Sequence, residues 1–79
     1  MIKLIDAYNE VCDKYPEGPT THPWKMYEYI LQKDIYDERS MDICQRYHMA
    51  KDAGPWHDTE TTLQIKKEFA KKWGIEPEI

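Results

Sequence analysis

Serine and glycine are scarce in this chain, and so is cysteine. Serine occurs once, as Ser40; glycine stands alone at Gly18, Gly54 and Gly74; cysteine occurs at Cys12 and Cys44. Isolated glycines exclude a Gly-rich phosphate loop, and neither a G-x-S-x-G nor an H-E-x-x-H pattern occurs. Two cysteines fall short of the disulfide framework of a secreted mini-protein, which places the chain in a reducing, cytoplasmic compartment with both thiols free. There is no apolar run of the ~20 residues that a membrane span requires. In the opening Met1-Ile2-Lys3-Leu4-Ile5-Asp6 an acidic residue interrupts any signal-peptide core. These absences predict a protein that is not an enzyme, uses no cofactor and holds no metal.

What the chain does have is charge and large rings. Its 79 residues carry 15 acidic against 11 basic side chains, a net charge of −4, and include three Trp, six Tyr and one Phe. That length allows one domain. A domain so short buries only ~60% of its unfolded surface, so its core residues have to be large. Burying one aromatic ring stabilises by about 2–3 kcal/mol, which suits a thin core.

The apolar pattern predicts an all-α domain of four helices, one of them broken or followed by a turn, with no sheet. Residues 1–75 form the domain and 76–79 a short tail. Met1, Leu4, Ile5, Tyr8, Val11, Cys12 and Tyr15 recur at steps of three and four, one stripe of a helix that Pro16 ends. Pro23 suits the first position of a second helix, after Thr20, Thr21 or His22, with Trp24, Tyr27, Ile30 and Leu31 on its buried face. Asp37 or Ser40 caps a third, with Tyr36, Ile43, Tyr47 and Ala50 as its stripe and Met41 and Cys44 beside it. Gly54-Pro55 stops that helix. Asp58 or Thr59 caps the fourth, whose face carries Thr62, Ile65, Phe69 and Trp73. Lys71 and Lys72 suit its negative end, and Gly74 with Ile75 fits a Schellman ending in which Ile75 packs back toward Phe69 and Ala70.

Four constellations bear on function. Asp6, Glu10, Asp13 and Glu17, at steps of four, three and four, form a carboxylate row on the first helix. It is either a solvated face or a surface for a basic partner, where complementary charge speeds encounter. Four helices of this length cannot bury ten rings, and Tyr29, off its stripe, and Trp56, in the breaker, are candidate docking residues. Cys44 and His48 lie one turn apart, with Cys12 and His57 elsewhere, but without a C-x-x-C or H-x-x-x-H pair they read as buried residues rather than zinc ligands. Lys66, Lys67, Lys71 and Lys72 form the one cationic cluster, diluted by Glu60 and Glu68. The two arginines, Arg39 and Arg46, lie among acidic residues.

The ending Lys71-Lys72-Trp73-Gly74-Ile75 resembles the last turn of acyl-CoA-binding proteins, which are four-helix domains of similar length. The resemblance stops at those five residues and their helix. The family's Tyr-Lys-Gln-Ala stretch and the Lys-x-x-Trp of its third helix are absent, so the chain is assigned to no family. Size, acidity and aromatic content instead match the style of phage or mobile-element accessory proteins. The expectation is a small non-enzymatic regulator or inhibitor of a host protein. In its sharper form the Asp6/Glu10/Asp13/Glu17 row, with Tyr29 and Trp56, covers a basic groove that would otherwise hold nucleic acid. The alternatives are a direct nucleic-acid binder using Lys66, Lys67, Lys71 and Lys72, and a self-assembling component such as a homodimer.

Overall fold

Prolines, a capping aspartate and one left-handed glycine divide the chain. A computed structural model describes residues 1–33, 36–52 and 59–79, the side chain of Asp52 excepted. Four helices follow in order: α1 (Leu4–Lys14), α2 (Pro23–Leu31), α3 (Glu38–Asp52) and α4 (Glu60–Trp73). There is no strand or sheet among the described residues, only an isolated parallel bridge between Ile2 and Ile75. The expected all-α class therefore holds. No helix among these residues is long and apolar enough to cross a membrane.

Leu4, Ala7, Tyr8 and Val11 bury one side of α1. Met1 does not join them, because residues 1–3 precede the helix and Ile2 instead bonds across to the chain end. Its N–H donates to the Gly74 carbonyl at 3.2 Å, and its carbonyl accepts from the Glu76 N–H at 2.9 Å. The tail is thus tied down at its first residue.

Pro23 does occupy the first turn of α2, where its missing N–H costs nothing. No side chain caps its start: His22 holds the N-cap position without a capping hydrogen bond. The buried residues are Pro23, Met26 and Ile30 rather than Trp24 and Leu31. On a nine-residue helix this rich in apolar side chains, two faces compete for the core. The one centred on Met26 wins.

Asp37 caps α3, its Oδ1 accepting from the Ser40 N–H at 3.1 Å and its Oδ2 from the Ser40 hydroxyl at 2.8 Å. Tyr36 lies before the helix and is exposed rather than part of its stripe. Met41, Ile43, Cys44 and Tyr47 are buried, and α3 packs against both α1 and α2. The Tyr8 and Tyr47 rings stack at 4.3 Å between centroids, joining α1 to α3.

Thr59 caps α4 by accepting the Thr62 N–H at 3.2 Å. The helix is anchored by its C-terminal half: Phe69 is buried, and the Trp73 indole N–H donates to Asp42 on α3 at 3.0 Å. Ile65, one turn further toward the start, is exposed. Gly74 adopts φ 66°, ψ 35°, and its N–H bonds the Ala70 carbonyl. That single bond is the simpler left-handed ending, not the Schellman pair. Ile75 then turns fully into the core. Gly54, Pro55 and Asp58 lie outside the described residues.

Candidate functional site

Two apolar side chains left out of the core, Trp24 and Leu31, lie on α2 in line with Tyr27, which packs against the core. Residues 24, 27 and 31 are three and four apart, so they form one row over about 10 Å of helix. Trp24 is 43% exposed and Leu31 53% exposed, with Tyr27 half-buried between them. The row is structured. The Trp24 ring stacks on Tyr27 at 5.1 Å with 10° between planes, and meets His48 of α3 at 5.6 Å. Its rings are therefore held in place from both helices. Sequence reasoning missed this surface because it assigned Trp24 and Leu31 to the core. The signal available was the apolar fraction of α2 itself, too large for one buried face.

The residues expected at a partner surface are dispersed. Asp6, Glu10 and Asp13 are exposed on α1, but the helix ends at Lys14, so Glu17 sits in the turn beyond it and leaves the row. Glu10 is paired with Arg39 at 3.3 Å. Tyr29 lies on the other flank of α2, edge-on to Tyr15 at 6.3 Å, with the Lys33 ammonium 4.3 Å above its ring. It is half-buried packing rather than a presented ring. Trp56 and His57 lie outside the described residues.

The lysine cluster is split in the same way. Lys66 turns inward and pairs with Glu78 at 2.7 Å. Lys72 is held by Glu38 and lies 3.8 Å from Asp42, with its ammonium 4.9 Å from the Trp73 ring. Lys67 and Lys71 remain exposed without a carboxylate in ion-pair range among the described residues.

No group of three His, Cys, Asp or Glu side chains among the described residues is arranged to hold a metal. The Cys12 thiol points at the Thr20 carbonyl, 3.6 Å away, which also accepts the Tyr8 hydroxyl at 2.7 Å. Burial pushes the Cys44 thiol up to about 12 and raises Cys12 as well. Burial also raises the Tyr8 phenol, and burial with the Asp37 hydrogen bond lifts Tyr15 to about 12. All four shifts move these groups away from neutral-pH reactivity. Burial pulls Asp37 the other way from its net shift. Hydrogen bonds from Lys14, Tyr15 and Ser40 outweigh that burial and hold its carboxyl well below the usual carboxylate range.

Two depressions of about 370 Å³ lie among the described residues. One runs between α3 and α4, floored by Met49, Ile65, Phe69 and Trp73. The other opens beside Tyr8, Cys12 and Tyr47. Neither brings a nucleophile together with a base and an oxyanion donor among the described residues, the geometry that acyl transfer demands. Compared with known protein families, curated proteins and solved structures, the chain matches none.

Proposed function

We propose that this protein is a small non-catalytic regulator or inhibitor that acts by docking on another protein. The observation that carries this reading is the Trp24–Tyr27–Leu31 row, an ordered and exposed apolar strip on a protein whose charge otherwise suits water. Trp and Tyr dominate protein–protein hot spots because they cover large area at low entropic cost, and contiguous exposed apolar patches on small soluble domains mark contact surfaces. The acidic α1 residues Asp6 and Asp13 remain available to steer the encounter. Direct nucleic-acid binding finds less support, since carboxylates hold Lys66 and Lys72.

The test is capture from the source cell by chemical crosslinking, with the intact protein beside Trp24→Ala and Leu31→Asp. Both changes fall on exposed side chains, and circular dichroism checks that the fold is retained. The reading expects one protein to be captured by the parent and lost with both variants. Capture that is indifferent to both substitutions overturns it.

A further inference from the structure

We draw no further inference here: the strongest candidate, the exposed apolar strip of Trp24 and Leu31 along α2, belongs to the surface already described, and nothing in the structure shows what covers it.

Discussion

The Asp37 carboxylate accepts the Tyr15 hydroxyl at 2.8 Å, joining the end of α1 to the start of α3. The same oxygen takes the Lys14 ammonium at 2.6 Å, and the carboxylate also caps α3 through Ser40. One side chain thus closes two helix ends. Removing it costs the cap, about 1 kcal/mol, and leaves the half-buried Tyr15 and the buried Ser40 short of an acceptor, about another 1–2 kcal/mol. Asp37→Ala should therefore lower stability by about 2–3 kcal/mol in urea denaturation, and Tyr15→Phe by about 1 kcal/mol.

The same carboxylate makes the fold acid-sensitive. Its folded-state pKa lies below the ordinary value, so the unfolded chain takes up a proton first as pH falls. The stabilisation is complete above about pH 4 and is lost as pH drops below that value toward the folded-state pKa. Urea midpoints between about pH 5 and pH 2 should fall steeply for the parent and less steeply for Asp37→Asn.

Gly18 is tightly enclosed. A methyl group there would stand 2.8 Å from the Met26 sulfur, 2.9 Å from its methyl and 3.0 Å from the Tyr29 ring. Gly18→Ala should cost about 1–2 kcal/mol through overpacking. Because Met26 is the main obstacle, Gly18→Ala with Met26→Ala should cost less than the sum of the single changes, as a double-mutant cycle would read.

Gly74 poses the opposite problem: space is open around it, but its φ is positive. Gly74→Ala should cost about 1 kcal/mol from backbone strain alone, and Gly74→Asn less, since asparagine tolerates this conformation. Thermal melts of the two variants give the comparison.

The cysteines should differ in rate. Cys44 is fully buried and its thiol is pushed up to about 12, whereas Cys12 is half-buried. Iodoacetamide near pH 8 should alkylate Cys12 first and reach Cys44 only on unfolding, as peptide mass mapping would report. Equal labelling rates in the folded protein would contradict this packing.

Much of the fold was legible because punctuation and pattern agreed. Pro23, Thr59 and Gly74 mark boundaries by backbone chemistry that operates locally, and Tyr8, Val11, Ile43, Tyr47 and Phe69 lie on stripes with a single reading. The misplacements share a cause. Trp24 and Met26 both fit a buried face of α2, and only tertiary packing decides between them. Glu17 continues the carboxylate spacing numerically, yet the helix carrying that spacing ends three residues earlier, at Lys14. Glu10, Lys66 and Lys72 find partners on other elements, at sequence separations no periodicity describes. The exposed strip was hidden for this reason: Trp24 and Leu31 look like core and lost the competition for it.

The bridge between Ile2 and Ile75 has a mechanical consequence. Its two segments run parallel, so a pull on the chain from both sides slides one along the other instead of peeling them apart. Both hydrogen bonds then carry load together, and Ile75 cannot leave the interior until both have given way.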